Sequence, residues 1–135
     1  MWQKTFEYKK IGNFWKPIIP VSLKHNKKEL KYVALLDSGA DFNIFHSEIT
    51  EILDIDLTKL KKSTFGGINK GAAGSRYMTV IEIGVDGYTF DAPVYFSTDI
   101  SLNGYGIVGQ EGFFDKFKIL FNREAKKIEL KKLKK

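Results

Sequence analysis

The chain has 135 residues, 43% hydrophobic and 28% charged, which suffices for one core but not for two catalytic lobes or a nucleotide fold with a separate substrate domain. It has no cysteine and only two histidines, His25 and His46, so disulfides, thiolate metal sites, a cysteine nucleophile and a three-histidine zinc site are all excluded. The net charge of +6 is concentrated at one end: residues 122–135 hold seven Lys/Arg and two Glu, which leaves the other 121 residues at about +1.

Strand signals dominate the chain. Residues 16–23 (KPIIPVSL) are apolar and β-branched, with prolines that suit a strand start or an edge. Residues 25–28 read as a turn that exposes His25. Residues 29–36 (ELKYVALL) form a buried-strand candidate that runs directly into Asp37-Ser38-Gly39-Ala40. Residues 42–45 are a second short apolar strand. Ser47 is the expected N-cap of a short helix with Glu48 and Glu51 in its first turn, where the helix dipole favours acids. Ile49, Ile52, Leu53 and Leu57 give that helix an apolar face, and His46 just before it is a local hydrogen-bonding residue. Residues 65–74 (FGGINKGAAG) hold four glycines and must make tight turns or flex.

Residues 78–85 and 88–96 read as a hairpin about Asp86-Gly87, a pair suited to a type I′ turn with φ > 0 at both centres. Ile107-Val108-Gly109 is a short buried run. Residues 112–117 suit one or two helical turns. Residues 117–121 and 127–130 are strands around Asn122-Arg123-Glu124. Trp2, Phe14 and Trp15 are expected as core or interface aromatics. The start, MWQKTFEYKK, has no apolar signal region, and no apolar run approaches the roughly 20 residues that span a bilayer. The expectation is a single domain over 1–135, with a core over about 16–130 and a basic tail at 131–135, located in the cytoplasm.

Asp37-Ser38-Gly39 carries the chemistry. An acid at the end of an apolar strand enters a low-dielectric region and must be paired, hydrogen-bonded or protonated. The small residues after it allow a tight turn that aims the carboxylate out of the sheet. Alone the tripeptide is unspecific, since chance places it in roughly one chain in fifteen of this length. Its bland reading is a turn whose Asp caps its own backbone.

The order of elements adds weight. LLDSGAD (35–41) resembles the catalytic loop of the retropepsin family, the single-domain aspartic proteases of retroviruses and their cellular relatives. IVGQ (107–110) resembles that family's second signature, and FGGI (65–68) its substrate-covering flap tip. The similarity of pattern covers roughly residues 18–130. It implies an all-β fold: a closed, barrel-like acid-protease domain with one or two short helices and a flap hairpin, acting as a homodimer. Asp37 would then be the catalytic aspartate, and Ser38, Gly39 and Ala40 the supporting loop, with Ser38 bonded across to its twin. Gly39, Asp41, Gly66, Gly67, Ile68 and Val108 would meet substrate. Gly71-Ala72-Ala73-Gly74 is an alternative flap tip. One departure stands out: Gln110 occupies the place where retroviral members commonly carry Arg, so the bidentate pair with Asp41 is replaced at most by a neutral amide bond.

This chemistry needs two carboxylates sharing a proton, and the chain has one Asp-Ser/Thr-Gly. Hence the expectation of a homodimer with Asp37 of each copy on the two-fold axis, cleaving an extended peptide or protein, with no cofactor and no metal. Apolar Ile68, Val108 and Ala40 would favour apolar residues at the cut. The C-terminal Ile128, Leu130 and Leu133 would pack in a dimer-forming sheet, or the tail would be a solvated strand with a frayed end. Two other readings are a catalytically silent dimerisation or peptide-binding module, and a small basic β-barrel binding nucleic acid through the tail. The near-neutral charge of the first 121 residues argues against the latter.

Overall fold

The computed structural model describes residues 2–64, 75–98, 100 and 104–134. The expected flap tip, Gly66-Gly67-Ile68 or its alternative at 71–74, lies outside the described residues. In chain order the elements are β1 (Gln3–Glu7), β2 (Lys9–Ile11), β3 (Phe14–Lys16), β4 (Ile18–His25), β5 (Lys28–Leu36), β6 (Asn43–His46), α1 (Ile49–Ile52), a 3₁₀ turn (Leu57–Lys59), β7 (Lys61–Thr64), β8 (Ser75–Val85), β9 (Tyr88–Ser97), β10 (Gly106–Val108), a second 3₁₀ turn (Phe114–Lys116), β11 (Phe117–Asn122) and β12 (Lys127–Lys132).

Six strands close into a barrel in the order β4-β5-β10-β6-β9-β8, with β8 returning to β4. Alternation with period two builds its interior. Ile19, Val21 and Leu23 of β4 point inward, as do Ala92, Val94 and Phe96 of β9. One edge of the long β8 is shared: residues 75–78 pair with β7, and residues 82–84 pair with β4. Closure depends on Gly84, which lies opposite Ser22, because a Cβ there would collide with the Ser22 hydroxyl. Asp86 and Gly87 adopt φ of 45° and 88°, the geometry expected of a type I′ turn between β8 and β9.

A second sheet, β1-β12-β11, lies beside the barrel. Trp2, Tyr88, Phe90, Phe113 and Phe117 form an aromatic cluster between the two sheets, with ring centroids 5.0–6.0 Å apart. This arrangement corrects the expected role of two residues of the C-terminal strand and leaves Leu133 exposed. Both edges of β12 are taken within the chain, and Ile128 and Leu130 are fully buried in its own core, so neither is free for a partner. Lys131 and Lys132 are exposed residues of β12, as a solvated strand requires. Strand β1 escaped sequence reasoning because its QKTFE pattern is mostly exposed.

The hairpin β2–β3 belongs to neither sheet. It holds two of the expected aromatics outside the core, since Phe14 is 69% exposed and Trp15 40%, whereas Trp2 is half-buried in the aromatic cluster. The start of α1 also differs from expectation. The Ser47 side chain does not cap it; instead the Glu48 amide donates to His46 Nδ1 over 3.1 Å, and the Ser47 carbonyl accepts from the Thr50 amide and hydroxyl. Ile52 is exposed, and Ile49 within α1 is buried together with Leu53 and Ile55 just after it. His25 ends β4 rather than lying free in the turn, and its Nδ1 is 3.3 Å from the Leu53 carbonyl oxygen. Among the described residues no helix is long and apolar enough to cross a membrane.

Candidate active site

Strand β5 lies between β4 and β10. Its pairing with β10 is parallel, with Ala34, Leu35 and Leu36 beside Gly106, Ile107 and Val108. A parallel neighbour arriving from far along the chain needs room. Gly106 provides it, because a Cβ there would enter the Phe45 ring. At the end of this ladder the Asp37 amide donates to the Val108 carbonyl over 3.0 Å, so the aspartate's backbone is fixed where the sheet stops.

The chain then turns at once. The Ala40 amide donates to the Asp37 carbonyl over 3.0 Å, and the Gly39 amide donates to Asp37 Oδ1 over 2.9 Å. The Asp37 carboxylate thus caps its own turn, as the bland reading anticipates, and the residue is half-buried at the loop's edge. A Cβ on Gly39 would sit 3.3 Å from that same oxygen, which is why the smallest residue suits the position. Ser38 and Gly39 are exposed. The Ser38 hydroxyl makes no hydrogen bond among the described residues.

The second motif clamps the first. The Gln110 amide donates to the Ala40 carbonyl over 2.9 Å, and the Glu111 amide donates to the Asp41 carbonyl over 2.8 Å. Gln110 Nε2 donates to the Ser38 carbonyl over 2.8 Å. The amide side chain therefore supports the loop's backbone and does not bond the Asp41 carboxylate, which corrects the sequence expectation. Gly109 must be glycine, since a Cβ would lie 2.5 Å from the Ala40 carbonyl oxygen and 2.7 Å from that of Phe42.

Asn43 is a residue that sequence reasoning missed. It is fully buried. Its Oδ1 accepts from the Gly109 amide over 3.1 Å, and its Nδ2 donates to the carbonyls of Gly112 and Pro93 over 3.1 and 3.2 Å. The available signal was an amide side chain inside the otherwise apolar run FNIF (42–45), a position that demands buried partners.

The structure brings Asp37, Ser38, Gly39, Ala40 and Asp41 together with 109–111 at one end of the barrel, and Asp41 is exposed there. Val108 is a correction: it has no exposed surface and belongs to the barrel core, so it offers nothing to a substrate. Strand alternation turns its half-buried neighbour Ile107 the other way. Among the described residues no group of three His, Asp or Glu side chains is placed to hold a metal ion.

No family model matches the sequence, and no curated protein does. Among solved structures the chain is similar to the crystal structure of a retropepsin-like aspartic protease from Rickettsia conorii, at a TM-score of 0.69 and 18% identity, covering 96% of this chain and 99% of that one. The likeness is one of fold, and it runs nearly end to end in both chains.

Proposed function

We propose that this chain, which has the retropepsin-like fold, is an aspartic endopeptidase that works as a homodimer with Asp37 of each copy meeting on a two-fold axis. The observation that carries the reading is the Asp37 turn. Half-buried Asp37 stands at one end of the barrel, its backbone fixed by Val108 and its Oδ1 held by the Gly39 amide. One copy supplies one such turn, and the chemistry needs two.

In the dimer the two carboxylates hold one proton between them, because like charges at that separation do not both ionise readily. The ionised member takes a proton from water as the water oxygen adds to the scissile carbonyl carbon. The protonated member donates to the carbonyl oxygen. A proton then passes to the amide nitrogen as the C–N bond breaks, which releases an acid and an amine and restores the shared proton. An extended peptide would pair as an added strand beside Gly39 and Asp41.

The test is peptide cleavage read by mass spectrometry on an unstructured peptide library, with wild type beside Asp37→Asn at high protein concentration. Wild-type cleavage that falls at least about a thousand-fold in the variant supports the reading. Equal cleavage by both proteins, or by a strictly monomeric species, refutes it.

A further inference from the structure

The β2–β3 hairpin stands outside both sheets and turns over two residues, Gly12 and Asn13. Gly12 has a φ of 62°, as the first centre of a type II′ turn requires, and a Cβ there would meet nothing within 4 Å. The root is fixed at both ends. The Tyr8 amide donates to the Lys126 carbonyl over 2.9 Å, and the Leu36 amide, one residue before Asp37, donates to the Pro17 carbonyl over 2.9 Å. The hairpin is a projection with a fixed root and an open tip.

Its chemistry changes in order from tip to root. Ile11 pairs with Phe14, Lys10 with Trp15 and Lys9 with Lys16. The apolar pair is at the tip, with Phe14 69% exposed and Ile11 41%. One step back stands Trp15, also exposed, with the ammonium groups of Lys10 and Lys126 each 6.0 Å from its ring. Lys9 and Lys16 come one step further, about 7 Å behind the tip pair along the strands. Residues 8–17 contain no acid. Among the described residues no carboxylate forms an ion pair with Lys9, Lys10, Lys16 or Lys126.

This order selects the ligand. A bilayer entered from water presents phosphates first, then the boundary level where tryptophan settles, then acyl chains. Apolar groups of interfacial segments sink ~5–10 Å into that boundary, the distance that separates this tip from its lysines. A single nucleic-acid strand makes the opposite demand, since its phosphates need cations at the contact and its bases need a bare ring. Here the cations lie behind the apolar pair, and two ammonium groups already approach the Trp15 ring.

We propose that the β2–β3 hairpin docks on an anionic lipid bilayer, with Ile11 and Phe14 entering the acyl boundary while Lys9, Lys10, Lys16 and Lys126 meet lipid phosphates. The root is bonded to β5 one residue before Asp37, so docking holds the candidate site close to the membrane surface. The proposal does not depend on the protease reading.

Co-sedimentation of the full chain with vesicles tests it, using phosphatidylcholine alone beside phosphatidylcholine mixed with phosphatidylglycerol. The mixed vesicles should bind at least about tenfold more tightly, and less so as salt is raised. Ile11→Ser with Phe14→Ser should weaken that binding at least about tenfold. Lys9→Gln with Lys16→Gln should weaken it by roughly fivefold per lysine. Both variants should melt at the wild-type temperature, since the hairpin lies in neither sheet. Vesicles with brominated acyl chains should quench the tryptophan emission of wild type and not that of Trp15→Phe. A wild type that ignores the mixed vesicles, or equal affinity in both hairpin variants, would overturn the proposal. So would equal quenching with and without Trp15. Hairpin variants that keep vesicle binding but lose binding to a single-stranded oligonucleotide, or lose self-association in sedimentation velocity, would overturn it in favour of that partner. Asp37→Asn should bind vesicles like wild type whatever its cleavage, so docking is judged apart from catalysis.

Discussion

Asn43 and Gly109 are bonded across the interior, the Gly109 amide donating to Asn43 Oδ1 over 3.1 Å. This bond ties the strand after the Asp37 loop to the segment that clamps the loop from the other side. Asn43→Leu keeps the size and removes all three bonds, leaving the Gly109 amide and the carbonyls of Gly112 and Pro93 without that partner. The expected cost is about 3 kcal/mol or more. Urea denaturation measures it, and a midpoint within error of wild type would show that the network carries no weight.

Gln110 is exposed, and among the described residues its side chain holds only the Ser38 carbonyl. Gln110→Ala should change stability by no more than about 1 kcal/mol. Cleavage should suffer more, with kcat falling about tenfold, because the turn that aims Asp37 loses a fixed point. Full kcat in this variant would exclude a positioning role for the amide.

The barrel seam gives a paired test. Gly84→Ala should destabilise by about 1–3 kcal/mol through collision with the Ser22 hydroxyl. In a Ser22→Ala background the same change should cost less, since the Ser22 Cβ lies 3.7 Å from the added methyl. Gly109→Ala has no such remedy, because it meets backbone oxygens. A thermal-melt double-mutant cycle with zero coupling at 22 and 84 would contradict the geometry.

The leading line of the chemistry was legible because it is local. Leu35-Leu36-Asp37-Ser38-Gly39 announces a strand ending in an acid turn, and Asp86-Gly87 announces its hairpin through φ alone. What was hidden depends on distant partners. Asn43 reads as an ordinary polar residue until its three bonding partners, 50 to 69 positions away, are known. Val108 reads as a pocket lining until the parallel ladder turns it inward. Ser47 has the right chemistry for a cap, but His46 provides an acceptor for the first amide. The central place of β12, between β1 and β11, follows from the pairing of β1, a strand too polar to signal itself.

A weaker effect should appear with pH. Lys127 donates to Glu7 Oε1 over 2.9 Å, and this bond, reinforced by the lysine's charge, holds the Glu7 carboxyl below its ordinary value. A depressed folded value stabilises above the unfolded value, near about 4.3, and the benefit disappears as pH falls through the folded value. Melting temperatures of wild type and Glu7→Gln should therefore differ slightly at neutral pH, with wild type higher, and converge in acid. Since the pair is exposed, the gap should be small and should shrink with salt. A gap that widens in acid would reverse the sign and refute the assignment.

The parallel ladder between β5 and β10 has a consequence for synthesis. Ser38 and Gln110 are 72 residues apart in the chain, and the turn that presents Asp37 is braced only once the later segment arrives. Contacts of such separation close late and slow folding. A nascent chain ending before Gly106 would carry the whole Asp-Ser-Gly tripeptide without its brace. Emergence of the braced Asp37 turn is thereby tied to near-completion of the domain.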